Sequence, residues 1–249
     1  KITRHDVIDT YTKYFKAPKA VISIVGDLAE TEAKDFAKGV YHAFNHHGID
    51  AQAQPLAVEV TNATYSQEYP FEQVNLDINM KAPTCLDPDY AAVKVIENIL
   101  NGSYGRIHQA TRGDNDLSYF AHVVFASEPS FGYFRVTSQT SEEKAQQLKQ
   151  ALLSVLDRMM NEPVTEEELS RAIEAENIQL NNLITDKEIG YISAANEFKG
   201  LGYDYWSKQI QELRKVTPND VQRVAKKYLK DRDVIISVPS KDVKRMVGD

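Results

Sequence analysis

The sequence predicts an α+β fold, in which a mostly antiparallel sheet carries helices packed on one of its faces. Three observations lead to this prediction. Apolar and polar residues alternate from Val74 to Met80, a pattern typical of a strand with one buried face. Two further strand-like stretches, 117–125 and 132–137, are joined by a turn. Several amphipathic helices and a last β-branched stretch follow, so strands and helices are largely segregated along the chain.

The elements before the first strand are a helix, a short β-branched strand at Val21–Val25 and a second helix over 31–44. The stretch 45–66 has no clear period and is interpreted as a linker, which has room for a short strand at 58–60.

The helices after the first strand each have a start or stop signal. Asp87–Asp89 begins a helix that an Asn-Gly pair ends, and a short helix follows over 104–111. The apolar spacing over 145–159 predicts a long helix. Thr165 and Glu168 have the spacing of a capping box for the next helix.

An internal repeat aligns residues 1–26 with residues 215–240 without a gap. Each copy predicts a helix with a capping Thr and Asp, followed by a short strand. Identities in the helical part are Lys1/Lys215, Thr3/Thr217, Asp6/Asp220, Val7/Val221, Lys13/Lys227 and Tyr14/Tyr228. If the unit closes a domain, then 1–44 is the tail of a preceding homologous domain, 45–66 a linker and 67–249 a complete domain. The alternative is two unrelated helix–strand units that agree by chance.

Composition and charge exclude several kinds of partner and site. The formal net charge of −7, without a basic stripe, disfavours a nucleic-acid partner. No apolar run approaches the roughly 18 residues that a membrane span needs, so no membrane partner is expected. Cys85 is the only cysteine, which excludes an internal disulfide and a multi-cysteine zinc site. Because the first residue is Lys1, we expect an excised fragment or a processed chain.

Five segments of the chain, taken in order, resemble one known family. They are NLDINMKAP from Asn75, LDPDYAAVKVIENILNG from Leu86, RGDNDLSY from Arg112, VTEEELSRA from Val164 and VTPNDVQRVAKKYL from Val216. Together they are similar to the non-catalytic C-terminal, "inactive" domain of the pitrilysin/insulinase family of zinc metallopeptidases, which includes the subunits of mitochondrial processing peptidase. The resemblance covers essentially the whole chain. It implies the α+β fold of that family, whose domains occur in homologous pairs.

The resemblance implies zinc chemistry, but not in this chain. In the family, zinc is bound by an HxxEH helix, whose Glu acts as general base on the metal-bound water. That motif is absent here. His42 and His46 have the spacing of the two histidines, but Asn45 stands where the Glu is needed, and together with His47 they are interpreted as solvated helix-end residues. We expect no cofactor in this chain and zinc in a homologous partner domain or subunit.

Arg112 and Tyr119 match an arginine–tyrosine pair that, in the family, reaches the substrate held at the partner domain's zinc. In that role the guanidinium binds peptide carbonyls, and the phenol donates to the oxyanion that develops on the scissile carbonyl. The alternative is an arginine that satisfies a helix end and a tyrosine packed in the sheet. We expect both side chains on one concave face of the sheet, with Tyr119 on a strand. Two residues depart from the family pattern: Gly105 replaces a serine, and Gly113 replaces a glutamate.

The resemblance therefore implies the substrate-binding, non-catalytic half of a zinc-dependent endopeptidase, inactive alone, with a zinc-bearing homologous domain or subunit and a peptide as its partners. A catalytically inert scaffold subunit of the same family is the alternative, and a stand-alone peptide-binding domain is a third. A homodimer through the N-terminal segment is also expected, because an unpaired strand at Val21–Val25 would present free backbone groups to a second copy.

Overall fold

The computed structural model describes residues 2–14, 20–43, 59–70, 72–112, 116–183 and 186–240. The strands are β1 (Thr64–Tyr69), β2 (Val74–Lys81), β3 (Phe120–Ser127), β4 (Gly132–Thr140) and β5 (Asp233–Pro239). The helices are α1 (Arg4–Tyr14), α2 (Glu30–Ala43), α3 (Tyr90–Leu100), α4 (Arg106–Arg112), α5 (Glu142–Asn161), α6 (Glu166–Leu183), α7 (Asp186–Phe198), α8 (Tyr205–Leu213) and α9 (Pro218–Tyr228).

The strands form one five-stranded sheet in the order β1-β5-β2-β4-β3. β1 runs parallel to β5, and the other neighbouring pairs, β5 with β2, β2 with β4 and β4 with β3, are antiparallel. The predicted α+β class with a mostly antiparallel sheet is therefore confirmed.

One face of the sheet is apolar and packs into the core. The apolar residues of β2, from Val74 to Met80, are at most 1% exposed, while the polar residues between them are half-buried. In register, Ile78 of β2 lies beside Val136 of β4 and Val234 of β5, so the neighbouring strands continue the same apolar face. The helices α3, α5 and α9 turn their buried apolar sides into this core. The opposite face of these strands carries mainly polar side chains.

By its internal contacts the chain divides into two units. The first comprises Lys1–Pro55 with Gln179–Lys208, and the second comprises Leu56–Ile178 with Gln209–Asp249. The whole sheet and the core beneath it belong to the second unit. These two units do not test the division into 1–44, 45–66 and 67–249 that the repeat suggests, and that division stays a prediction.

The helical part of the repeat is confirmed. α1 and α9 occupy aligned positions, and both begin with a capping box. The Thr3 backbone N–H donates to Asp6 Oδ2 at 2.7 Å, and that of Thr217 donates to Asp220 Oδ2 at 3.1 Å. The reciprocal bonds, from the Asp backbone N–H to the Thr hydroxyl, are 3.3 and 3.2 Å long. The capping box predicted for Thr165 is likewise present at the start of α6, with reciprocal bonds of 2.9 and 3.1 Å.

The strand predicted at Val21–Val25 is not formed. This segment has no regular secondary structure, whereas its counterpart in the repeat, β5, lies between β1 and β2. A strand needs neighbours to pair with, and within the described part of the first unit none borders this segment. Its side chains pack instead on α7, where a Cβ added to Gly190 would lie 3.0 Å from Val25 Cγ2.

β1 is the strand that the sequence did not predict. It begins at Thr64, inside the range 45–66 interpreted as a linker, and its sequence TYSQEY lacks a clear apolar alternation. All six of its residues are exposed, so no buried face marks them in the sequence. Residue 58 of the alternative short strand lies outside the described residues, and residues 59 and 60 are not in a strand. Within the described part of the chain, none of the helices combines the length and apolar character needed to cross a bilayer.

Candidate functional site

Arg112 and Tyr119 are neighbours on the surface of the second unit. Arg112 is the last residue of α4, and Tyr119 directly precedes β3 instead of lying on a strand. The guanidinium carbon of Arg112 lies 5.9 Å from the centroid of the Tyr119 ring, a distance at which a cation and an aromatic face attract each other. Tyr119 is 79% exposed. The structure thus brings together the two residues that match the arginine–tyrosine pair and leaves both in contact with solvent.

A set of buried bonds ties the end of α4 to the residues before β3. Thr111 is buried, and its hydroxyl donates to the carbonyl of Ile107 at 2.9 Å. The carbonyl of Thr111 accepts from the backbone N–H groups of Leu117 at 2.8 Å and Ser118 at 3.3 Å. These bonds fix the separation of Arg112 and Tyr119, although residues 113–115 between them lie outside the described residues.

Hydrogen bonds of the buried Ser118 hold the start of β3 in place. Its buried hydroxyl lies 2.7 Å from the carbonyl oxygen of Gln139 in β4, to which it donates, and accepts from the Phe120 backbone N–H at 3.1 Å. The hydroxyl of Ser138 donates to the Phe120 carbonyl at 2.7 Å. Because Ser118 is held on the inner side, the side chain of Tyr119 is directed outward.

The loop that leads to Tyr119 is held at a second point. Leu117 is 2% exposed, and its carbonyl accepts from the hydroxyl of Thr140 at 2.6 Å. Asp116 adopts a left-handed backbone conformation with φ of 40°, which Asp tolerates better than most residues. Lys144 of α5 donates to the Asp116 carbonyl at 2.7 Å. The exposed pair therefore stands on a rigid base.

The functional groups of the pair are not used to hold the fold. Among the described residues, neither the guanidinium of Arg112 nor the hydroxyl of Tyr119 has a hydrogen-bond partner. A guanidinium carries five N–H donors in a planar fork, and a phenol carries one donor. The arrangement can therefore present several hydrogen-bond donors to an acceptor-rich ligand such as a peptide backbone.

A buried ion pair positions α4, the helix that ends in Arg112. Arg106 donates from Nε to Glu168 Oε1 at 2.7 Å and from Nη2 to Oε2 at 2.9 Å, and its side chain is 9% exposed. The hydrogen bond from Arg106 and that from the Thr165 backbone together lower the pKa of Glu168 to about 2. The sequence marked Glu168 only as a capping residue, because its second partner lies far away along the chain.

The turn before α4 explains one departure from the family pattern. A Cβ added to Gly105 would lie 2.1 Å from the backbone oxygen of Asn101 and 2.4 Å from that of Leu100. No side chain fits there without a shift of the backbone, so the serine of the family pattern has no room in this turn. The second departure, Gly113, lies outside the described residues.

A second buried carboxylate joins α3 to α9. Asp89 is 5% exposed and accepts from Arg223 Nη1 at 2.8 Å and from Lys227 Nζ at 2.7 Å. Burial raises its pKa, but the hydrogen bonds from Lys227 and Arg223 outweigh burial and lower it overall. Sequence reasoning missed the role of Lys227 in this contact, because its partner Asp89 lies far away along the chain.

Of the three clustered histidines, only His42 lies among the described residues. His42 lies in the last turn of α2, and His46 and His47 lie outside the described residues. Among the described residues, no group of three or more His, Cys, Asp or Glu side chains is arranged to hold a metal ion.

Comparison with solved structures shows the same fold in other proteins. The inactive domain of a peptidase M16 from Pseudomonas fluorescens is 21% identical, with a TM-score of 0.80 over 96% of this chain and 58% of that one. A protease from Helicobacter pylori is 14% identical, with a TM-score of 0.79 over 96% of this chain and 60% of that one. A chain of complex III2 from Candida albicans is 13% identical, with a TM-score of 0.72 over 95% of this chain and 58% of that one. The chain thus spans about three fifths of the length of these structures.

Comparisons of the sequence, as opposed to the structure, identify the family of the chain. A search of curated proteins returns no match. The family model of the peptidase M16 inactive domain matches residues 1–176, which is more than half of the 249 residues. M16 is the pitrilysin/insulinase family, so the resemblance of the five segments to its inactive domain is confirmed. The chain belongs to the peptidase M16 inactive domain family.

Proposed function

We propose that this chain is the substrate-binding, non-catalytic half of a zinc-dependent endopeptidase. Zinc and the general base would come from a homologous domain or subunit outside this sequence, because the HxxEH motif is absent from it. The family is one of inactive peptidase domains, which supports the non-catalytic part of this proposal. The peptide and the zinc-bearing partner are what the resemblance to the pitrilysin/insulinase family implies.

The observation that carries the proposal is the exposed Arg112–Tyr119 pair. A tyrosine that is 79% exposed and an arginine stacked on it contribute little to a core. Yet buried hydrogen bonds of Thr111, Leu117 and Ser118 hold the two residues in place. Such a rigid base under exposed donors suits a binding function, because a ligand then loses less free energy in ordering the site.

In the complete peptidase, the pair would face a peptide held at the zinc of the partner. Arg112 would bind carbonyl oxygens of the peptide through more than one N–H group. Tyr119 would donate its O–H to the oxygen that becomes negatively charged as the scissile carbonyl is attacked. A donor of this kind accelerates the reaction only if the bond strengthens in the transition state.

A catalytically inert scaffold subunit is the second candidate. The structural likeness to a chain of complex III2 from Candida albicans, with a TM-score of 0.72, favours it. A scaffold would need the buried network beneath the pair but not the phenol hydroxyl itself. The hydroxyl of Tyr119 is therefore the group whose removal separates the two functions.

The test replaces Tyr119 by Phe in the complete peptidase that contains this chain. We expect kcat to fall about 10- to 100-fold with little change in KM, because the lost donor acts mainly in the transition state. The matched control is Tyr104→Phe. Tyr104 is 76% exposed and also lies 5.9 Å from an arginine, Arg171, but the family pattern gives it no role.

The two variants decide between the candidates together. A fall in kcat for Tyr119→Phe alone supports the substrate-binding function. An unchanged kcat for Tyr119→Phe, or an equal effect of both variants, contradicts the role assigned to Tyr119 and favours the scaffold.

We also propose a partner strand for the segment Val21–Val25. Its counterpart β5 has strands on both sides, whereas no strand of the described residues borders this segment. Val21 and Val25 remain 37% and 47% exposed. A strand of the homologous partner domain, or the same segment of a second copy in a homodimer, would supply the missing backbone bonds.

A further inference from the structure

The two edges of the sheet differ in how their backbone groups are satisfied. β3 forms one edge, since it pairs only with β4, and β1 forms the other, since it pairs only with β5. An outer strand presents unpaired N–H and C=O groups that can accept a further strand from another chain. Folded proteins usually cover or block such edges.

The β3 edge is closed by side chains of α3 and of the residue that caps it. Asn101 donates from Nδ2 to the Val123 carbonyl at 2.8 Å and accepts from the Val123 N–H at 2.8 Å. Glu97 accepts from the Phe125 N–H at 2.9 Å and is itself held by Lys94 at 2.9 Å. These bonds occupy the outward-facing groups in the middle of β3, so no further strand can pair there.

The β1 edge has no such cover among the described residues. The carbonyl of Ala63 accepts from Val234 of β5 and that of Tyr69 accepts from Ser240, directly after β5, at 2.9 Å each. The alternation of a strand therefore directs the N–H and C=O groups of Thr64, Ser66 and Glu68 outward. No described residue hydrogen-bonds to these backbone groups. All residues of β1 are exposed, and the strand contains neither Pro nor Lys, two residues that commonly protect an edge.

The charges around β1 fit a second copy of the same strand. In an antiparallel pair with its two-fold axis at Ser66, Ser66 lies opposite its own copy and Thr64 lies opposite Glu68 of the other chain. This register uses every outward N–H and C=O group of β1. Lys149 of α5 lies 3.5 Å from the hydroxyl of Thr64, so its ammonium group would meet the carboxylate of Glu68 of the second copy.

We propose that β1 is a self-association edge, through which two copies of this chain pair antiparallel about Ser66 and join their sheets. The two-fold symmetry makes the Lys149–Glu68 contact occur twice. Opposite charges meet in this register on the helix-covered side of the sheet. On the other side, Tyr65 of each chain lies opposite Gln67 of the other, which adds exposed side chains to the contact.

The test measures the mass of the full chain by sedimentation velocity over a wide range of concentrations. We expect a monomer–dimer equilibrium. Glu68→Lys and Lys149→Glu each place like charges opposite one another, and each should raise the dimer Kd by about tenfold or more. The double reversal restores the opposite charges and should return the Kd close to that of the parent chain. Within one chain the two residues lie on different elements and no bond between them is present, so rescue requires the intermolecular contact.

Two proline variants separate this edge from the N-terminal segment. Ser66→Pro removes an N–H group that faces away from β5, so circular dichroism should show a folded chain that no longer dimerises. Ser23→Pro, in the segment Val21–Val25, should leave the dimer intact. A chain that is monomeric at every concentration overturns the proposal, as does a dimer that responds only to Ser23→Pro. Loss of the dimer in both single charge reversals without rescue in the double overturns the register about Ser66.

Discussion

The ion pair between Arg106 and Glu168 shows how one side chain can serve two elements. Glu168 accepts from the Thr165 backbone N–H at 2.9 Å and so caps α6, while both of its oxygens accept from Arg106 of α4. A bidentate pair between a guanidinium and a carboxylate fixes direction as well as distance. The orientation of α4, and with it the place of Arg112, depends on this carboxylate.

Glu168→Gln is expected to destabilise the chain in a pH-dependent way. At neutral pH the loss should be about 2 kcal/mol, because hydrogen bonds to a charged group in a mostly buried site are lost. The pKa of Glu168 is lowered from 4.5 to about 2, so its charge stabilises the folded state fully above about pH 4.5. That contribution disappears as the pH falls from about 4.5 towards about 2, and the difference between parent and variant should shrink accordingly.

Urea unfolding at a series of pH values measures this difference. Glu167→Gln is the matched control, because Glu167 lies in the same first turn of α6 but is 77% exposed and pairs with Arg171 at the surface. Its effect should be much smaller at every pH. A Glu168→Gln loss that stays constant down to pH 2 would contradict the assigned ion pair.

The resemblance to the family predicted part of the candidate site, and tertiary contacts determined the rest. The resemblance to the family identified Arg112 and Tyr119, but Tyr119 was expected on a strand and directly precedes one. Its position just before β3 follows from the buried Ser118, whose bonds to β4 come from residues about 20 positions further along the chain. Likewise, only the structure shows that Gly105 has no room for a Cβ. Such distant contacts leave no periodic signal in a sequence.

At the scale of elements, α1 and α9 show that aligned, similar sequences need not have the same surroundings. Both helices start with the same capping box, and Val7 of α1 aligns with Val221 of α9. Val221 is fully buried in the core of the second unit, whereas Val7 is 58% exposed. The capping-box pattern was therefore sufficient to predict each helix, but it did not predict which residues the helix packs against.

Removal of the two caps should have different consequences. Thr217→Ala is expected to lower the free energy of unfolding by about 1 kcal/mol, because it destabilises the start of a helix that belongs to the core. Thr3→Ala should leave that free energy nearly unchanged and only increase fraying of the exposed α1. Urea unfolding followed by circular dichroism measures the first effect, and hydrogen exchange measures the second. Equal losses in the two variants would mean that α1 is part of the same cooperative unit as the core.

Strands were harder to predict than helices for a related reason. Each helix satisfies its own backbone, so a cap and an apolar period are enough to predict it. A strand depends on neighbours that lie elsewhere along the chain. The apolar segment Val21–Val25 has the composition of a strand but no neighbours among the described residues, whereas the polar β1 lacks that composition and pairs with β5.

At the scale of the whole molecule, the family places this chain among inactive domains, while its fold is shared with longer proteins of which it spans about three fifths. The sequence lacks the motif that zinc-dependent peptide hydrolysis needs in this family. A catalytic zinc needs about three protein ligands and an open position for water. The chain has one cysteine and six histidines, and none of its histidines stands in an HxxEH sequence.

We therefore expect the isolated chain to retain no zinc and to cleave no peptide. After washing with a chelator and re-equilibration with zinc, elemental analysis should find far less than one zinc per chain, and a quenched fluorescent peptide should remain uncut. Weak zinc binding by histidines has to be told apart from a catalytic site, because His42 and His46 have a spacing that two ligands on a helix can use. The double variant His42→Ala/His46→Ala is the control and should remove any such weak binding. If this variant still binds one zinc per chain and cleaves the peptide, then the chain carries a catalytic centre of its own. The proposal that a homologous domain or subunit supplies the zinc would then be wrong.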